Sequence, residues 1–153
     1  MQVLISRMTF EKEDSAGYLV NHVARLFAKG LQDRIAPLGI VIGQFPVLLE
    51  LWQGDGVSQK DLLKSIDVEQ ATLANTLNRM ERDGLIRRTK HPADGRTQQI
   101  WLTDHARALR DAAYQSANDQ NASALKVLTR AERVQFNEIM RKLIAGFKAD
   151  ADD

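Results

Sequence analysis

Cysteine is absent from this 153-residue sequence. Disulfides, thiolate metal sites and cysteine-based redox sensing are therefore excluded. Proline (3 residues) and glycine (9 residues) are too few for a collagen-like or low-complexity disordered chain. The 3 histidines, His22, His91 and His105, are scattered and show no metal-ligand spacing. Charge of one sign is also missing: 21 Lys and Arg stand against 20 Asp and Glu, a net +1. The total does not announce a nucleic-acid partner, so the local distribution must carry that case. No apolar run approaches the roughly 20 residues that a membrane-spanning helix needs, so no membrane partner is expected. The first ten residues, Met1 to Phe10, lack a basic lead and a long apolar core, so a secretory signal is not expected. A cytoplasmic location is the expectation. Asn121-Ala122-Ser123 is then a chance match to the glycosylation pattern. There is no phosphate-cradling Gly loop, no nucleophile elbow and no pair of catalytic carboxylates. Neither an enzyme nor a bound metal or cofactor is expected.

Apolar residues make up 44%, enough for a core, and the length suits a single domain over residues 1–153. Asp14 or Ser15 can cap a first helix, in which Leu19, Val23, Leu26, Phe27 and Leu31 recur at three- and four-residue steps. Pro37-Leu38-Gly39 closes it. A second helix begins near Gly43, with Pro46 in its first turn and Val47, Leu48, Leu51 and Trp52 on its buried face. Gly54-Asp55-Gly56 is turn chemistry. Ser58 then caps a short helix, Gln59–Ser65. After Asp67-Val68 a third helix runs from Glu69 to Asp83 and stops at Gly84, a left-handed cap by its position.

The period then changes. Residues 85–90 and 97–102 read as two strands joined by a turn-rich loop, His91 to Arg96, and so as a β-hairpin. Thr103 caps a long helix from Asp104 to about Leu128. Thr129 caps a last one with an apolar face of Val134, Phe136, Ile139, Met140, Leu143, Ile144 and Phe147, followed by a fraying acidic tail from Asp150. The expected fold is mainly α (α+β): a winged helix-turn-helix over 44–103, flanked by long helical segments at 10–40 and 104–149. One small core cannot cover the terminal helices, so they are expected to pair with those of a second copy, giving a homodimer.

On the helix from Glu69 to Asp83, Leu73, Leu77 and Met80 share the core face. The opposite face carries Ala71, Asn75, Asn78 and Arg82, flanked by Gln70 and Arg79. Amide side chains can bond base edges, while Ala71 and Thr72 suit thymine methyl groups at close range. Arg79 and Arg82 can reach phosphates, which set register without reading sequence. A plain solvated helix face has the same composition. From Arg79 to Arg96, six basic residues (Arg79, Arg82, Arg87, Arg88, Lys90, Arg96) oppose Glu81, Asp83 and Asp94, a local +3. Arg96 at the hairpin tip suits a narrow minor groove, with Asp94 placed to orient it. A surface ion pair between the two accounts for both residues without DNA. Ser58 and Lys60 begin the short helix, where phosphate is attracted, although capping alone explains Ser58.

The run Asp67-Val68-Glu69-Gln70-Ala71-Thr72-Leu73, then Leu77 through Arg88, then Asp94-Gly95-Arg96 and Leu102-Thr103-Asp104, closely resembles the MarR (multiple antibiotic resistance regulator) family. The likeness reaches back through Gln44-Phe45 and the Ser58–Leu63 stretch. It implies a homodimer joined by its terminal helices, with recognition helices in the major groove and wing arginines in the minor groove of a pseudo-palindromic operator. The family's wing arginine falls on Arg96 and its acidic partner on Asp94, while a recognition-helix arginine falls on Arg79. Arg88 belongs to the first wing strand. Two departures stand out: Asn75 where the family is often basic, and Ala106 where it often has Gly. The resemblance implies a transcriptional repressor released by a small phenolic or aromatic-acid effector. That effector's crevice would be lined by His22, Leu26, Phe45, Leu49 and Trp52. Phe45 and Trp52 at helical spacing are more often core, and His22 is more often a satisfied or half-exposed histidine than a ligand contact. The rival reading is a winged helix used for protein contact without DNA.

Overall fold

A computed structural model describes residues 9–152. The signal-peptide expectation rests largely on Met1 to Met8, which lie outside these residues, as does Asp153. The main elements are α1 (Ala16–Ile35), α2 (Phe45–Gln53), β1 (Val57–Ser58), α3 (Gln59–Ile66), α4 (Gln70–Arg82), β2 (Ile86–Lys90), β3 (Gln98–Leu102), α5 (Asp104–Ala124) and α6 (Arg130–Ala151). Each helix starts where side-chain chemistry permits. Ser15, Ser58, Thr103 and Thr129 accept the N–H groups of Tyr18, Asp61, Ala106 and Glu132. Ser58 and Thr129 are halves of reciprocal capping boxes. Gly39 and Gly84 end helical segments with φ of 76° and 74°, where any other residue would be strained. Asp67, the connection between α3 and α4, adopts a left-handed φ of 59°.

Three expectations are corrected. α5 ends at Ala124 rather than near Leu128, because the chain must turn over Leu125 to Leu128 before Thr129 takes the extended backbone of an N-cap. The sheet has three strands in the order β1-β3-β2, not two, since Val57 and Ser58 pair with Ile100 and Gln99. The acidic tail is helical through Ala151.

The core lies where α2, α3, α4, the sheet and the start of α5 meet. Leu48, Leu51, Leu62, Leu73, Leu77, Met80, Leu85, Ile86, Ile100, Leu102 and Ala106 are all buried. Each fully buried Leu or Ile contributes about 1.5–3 kcal/mol relative to exposure. α5 continues away from this lobe and packs along α1, where Gly30 leaves room for the buried Gln120 side chain. α6 buries none of its residues, and Ile139, Leu143, Ile144 and Phe147 are exposed, as are Leu19, Val23 and Leu26 of α1. Among the described residues, no single helix is long and apolar enough to cross a membrane.

A buried polar link joins α2 to α4. Gln44 is only 4% exposed. Its Oε1 accepts the Val41 N–H at 3.1 Å, and its Nε2 donates to Asp83 Oδ2 at 2.9 Å. The other carboxylate oxygen of Asp83 accepts from Arg82 Nε at 3.1 Å. The Gln44 bond first, and Arg82 second, favour the ionised form and hold Asp83 below the ordinary 3.8.

Two stability predictions follow from this architecture. Gly56 has φ of 77°, and a Cβ there would lie 2.6 Å from the Trp101 ring. Gly56→Ala should therefore cost about 1–3 kcal/mol in urea unfolding. Gly43→Ala, where a Cβ meets nothing within 4 Å, should change little; equal losses at both sites would refute the packing argument. Folding lowers the Asp83 pKa, so its ionised form adds stability above about 3.8, and that stability is lost as pH falls through the folded value. Asp83→Asn should melt below wild type at neutral pH, and the gap should close on acidification. A gap that persists at the acid limit would show that Asp83 acts otherwise.

Candidate nucleic-acid interface

The recognition-helix candidate, α4, is held from beneath by Leu73, Leu77 and Met80, all buried. Its amphipathic period turns Gln70, Ala71, Thr72, Asn75, Asn78, Arg79 and Arg82 to solvent, and every one of them is exposed. Ala74 and Thr76 are half-buried at the edges, and the Thr76 hydroxyl donates to the Thr72 carbonyl at 2.9 Å. The N-cap residue Glu69 makes no side-chain cap.

The wing is the β2–β3 hairpin, registered from Ile86↔Leu102 to Lys90↔Gln98. Its tip is closed by backbone bonds from His91 N to Thr97 O, 2.8 Å, and from Thr97 N to Asp94 O, 3.0 Å. Asp94 turns its carboxylate onto this backbone. Oδ1 accepts the Arg96 N–H at 3.0 Å, and Oδ2 accepts the Thr97 hydroxyl at 3.3 Å. Among the described residues no ion pair joins Asp94 to the Arg96 guanidinium. The expected orienting carboxylate thus shapes the turn instead of the side chain. Arg96 is exposed at the tip.

Between wing and helices lies an open groove of about 610 Å³ that brings together Ser58, Lys60, Gln70, Arg88, Lys90 and Arg96. The N-terminus of α3 forms one wall. There Asp61 closes the capping box, and the Ser58 N–H and hydroxyl hold its carboxylate below the ordinary range. Arg88 and Lys90 alternate along β2 and share the opposite wall. Lys90 was not singled out as a site residue from sequence. The two-residue period of a strand links it to Arg88 and was the available signal. Arg88 is half-buried; its Nη2 donates to Asn78 Oδ1 at 2.7 Å, and its Nε lies 3.5 Å from Glu81 Oε2. On the far side of α4, Arg79 and Arg82 border a smaller cleft with Val41 and Gly43. Arg87 stacks over the Trp101 ring at 5.6 Å, and Trp101 Nε1 donates to Thr89. The twelve sequence-derived DNA-binding candidates thus fall on α3, α4 and the wing, around one basic groove and the helix beside it.

The effector candidates are distributed differently. Phe45 is buried and meets Trp52 edge-on at 6.2 Å. Trp52 meets Tyr114 at 5.6 Å and donates from Nε1 to the Ala106 carbonyl at 3.0 Å. Leu49 is half-buried against the same core. His22 and Leu26 are exposed on α1, and His22 packs edge-on to Tyr18 of its own helix. Among the described residues no cluster of three or more His, Cys, Asp or Glu is placed to hold a metal ion.

Comparison with known proteins agrees with this geometry. The MarR family model matches residues 40–97. The transcriptional regulator HosA of Escherichia coli O111:H- is 32% identical over 101 residues, spanning 66% of this chain and 75% of HosA. A MarR variant from E. coli, solved in complex with operator DNA, superposes with a TM-score of 0.78 at 25% identity, over 83% of this chain and 91% of that one. BpsR of Bordetella bronchiseptica, whose DNA binding is regulated by 6-hydroxynicotinic acid, superposes with a TM-score of 0.81 at 26% identity, over 88% and 96%. The helix-turn-helix, the basic wing and the likeness to HosA together place this chain in the MarR family of DNA-binding transcriptional regulators.

Proposed function

We propose that this protein is a cytoplasmic repressor that binds a pseudo-palindromic operator as a homodimer. The observation that carries the reading is the continuity of one surface: the polar face of α4, the groove and the exposed Arg96. Ala71, Thr72 and Asn75 meet base edges in the major groove, with Gln70 and Asn78 beside them. Lys60, Arg79, Arg82 and Lys90 contact phosphates together with the Ser58 end of α3, and Arg96 enters the adjacent minor groove. Arg88 and Asp94 shape this surface from within. Residues 44–103 form the DNA-binding lobe of a single domain, and residues 10–40 and 104–149 form the dimer scaffold. The exposed apolar stripes of α1 and α6 support that assignment, since a surface of this extent normally marks an interface. A two-fold dimer then sets its recognition helices about 34–36 Å apart, one turn of DNA.

Release by a small aromatic acid is the regulatory half of the proposal. It draws on BpsR and assigns His22, Leu26, Phe45, Leu49 and Trp52 to the effector crevice. A ligand there acts by favouring one separation of the two lobes over another.

Binding to duplex DNA from beside the protein's own gene, followed by fluorescence polarisation, should be tight and should weaken steeply with salt. Arg96→Ala should cost about 1–3 kcal/mol of that affinity. Absence of duplex binding even at low salt would leave protein contact as the role of the winged helix. Unchanged affinity in Arg96→Ala would remove the wing tip from the interface.

The dimer has its own test. Replacing Leu143 and Phe147 together with Glu should yield a folded monomer by sedimentation, with DNA affinity much reduced. A wild-type chain that sediments as a monomer at micromolar concentration would overturn the assignment.

A further inference from the structure

Asn78 carries one acceptor and two donors on its carboxamide, and either side can in principle face outward. Here the choice is made by the wing. Arg88 has only donors, so the Asn78 atom 2.7 Å from its Nη2 is the oxygen. One lone pair of that oxygen is taken, and the Nδ2 group keeps both of its donors for a partner. The Arg88 side chain is only 17% exposed, with Nε 3.5 Å from Glu81 Oε2 and not hydrogen-bonded to it. Its strand position opposite Ile100 is set by the ladder. Asn78 is exposed and lies on the helix face shared with Asn75 and Arg82, away from Leu73, Leu77 and Met80.

We propose that Arg88 is a positioning residue that turns the donor side of Asn78 to the major groove, so that Asn78 favours a base presenting an acceptor and rejects cytosine at the base it touches. The inference rests on the DNA-binding reading of α4. In the major groove guanine offers N7 and O6 as acceptors and thymine offers O4, whereas cytosine presents its N4 amine. An amide nitrogen aimed outward bonds these acceptors, or adenine N7, and leaves the cytosine amine unpaired. Adenine still offers N7 to an outward Nδ2, but its usual bidentate pairing with asparagine also needs Oδ1 to accept from the N6 amine. That oxygen is engaged by a charged guanidinium, a stronger donor than a base amine.

Sequencing of duplexes selected from a random pool tests this with wild type, Asn78→Asp, Asn78→Ala and Arg88→Met. In wild type one position of each half-site should be depleted of cytosine by about tenfold. Asn78→Asp keeps an oxygen on Arg88 and presents another oxygen outward, so that position should switch to cytosine or adenine. Asn78→Ala should accept all four bases there. Arg88→Met should relax the exclusion of cytosine, because the amide is then free to turn its oxygen outward; if that variant does not fold, the two Asn78 variants decide. The other positions of the site should be the same for every protein. A wild-type site whose preferences are identical in both Asn78 variants overturns the proposal and leaves the DNA-binding reading standing. So does a uniform weakening across all sequences with no change of base. A wild-type protein that selects no duplex and binds none at low salt overturns both.

Discussion

The Thr103 hydroxyl donates to the Gly84 carbonyl at 2.6 Å and accepts the Ala106 N–H at 3.1 Å. This one side chain caps α5 and at the same time ties it to the residue that ends α4. The Thr103 N–H adds a bond to the Leu85 carbonyl at 3.1 Å, and the Leu85 N–H returns to Met80 at 2.9 Å. The end of α4, the start of β2, the end of β3 and the first turn of α5 therefore converge on one junction. Asp55 reinforces it from the other side, accepting the Leu102 N–H at 3.0 Å and pairing with Arg107 at 2.6 Å. Beneath lie Leu77, Met80, Leu85 and Leu102, all buried. Helix, wing and α5 are thereby joined in one connected body.

Charge on this body is divided into two kinds. Arg82 and Arg88 have acidic neighbours, Asp83 and Glu81. Each pair has a solvent-exposed member, and such pairs add only about 0–1 kcal/mol, so their effect is on geometry more than on stability. Lys60, Arg79, Lys90 and Arg96 enter no ion pair among the described residues. The unpaired cations are thus spread around the groove and α4, and the paired ones brace the scaffold between them. A net charge of +1 conceals this arrangement because the compensating acids lie elsewhere on the chain.

Much of this was legible in the sequence because it is local. The caps at Ser15, Ser58, Thr103 and Thr129, the stop at Gly84 and the core stripe of α4 are all set by residues a few positions apart. β1 was not legible, since two residues carry no period and Ser58 already served as a cap. The end of α5 was missed because no Gly or Pro marks Ala124. The links that aim the site were out of reach for another reason. Gln44 meets Asp83 across 39 residues, and Arg88 meets Asn78 across ten; both depend on elements being already packed. Asp94 was correctly placed at the wing tip, but whether a carboxylate faces a guanidinium or a backbone N–H is decided by the turn itself.

α5 belongs to both halves of the molecule. Its first turn is gripped by the lobe, with the Ala106 carbonyl accepting from Trp52 Nε1. Farther along, Gln120 is buried against Gly30 and accepts from Arg34 Nε at 3.1 Å, while the Ser116 hydroxyl reaches the Arg34 carbonyl. A helix of 21 residues is about 31 Å long. Over such a lever, a tilt of roughly 5° displaces the far end by about 3 Å. In a two-fold dimer that displacement applies to both lobes, and DNA tolerates little departure from its own repeat of about 34–36 Å. In the proposed dimer, the junction at Thr103 ties wing and recognition helix to α5, so a small change at the α1–α5 contact would be passed to the separation of the two lobes. In the proposed ligand-released dimer, rigidity within the lobe makes that separation the quantity on which a ligand at the scaffold would act.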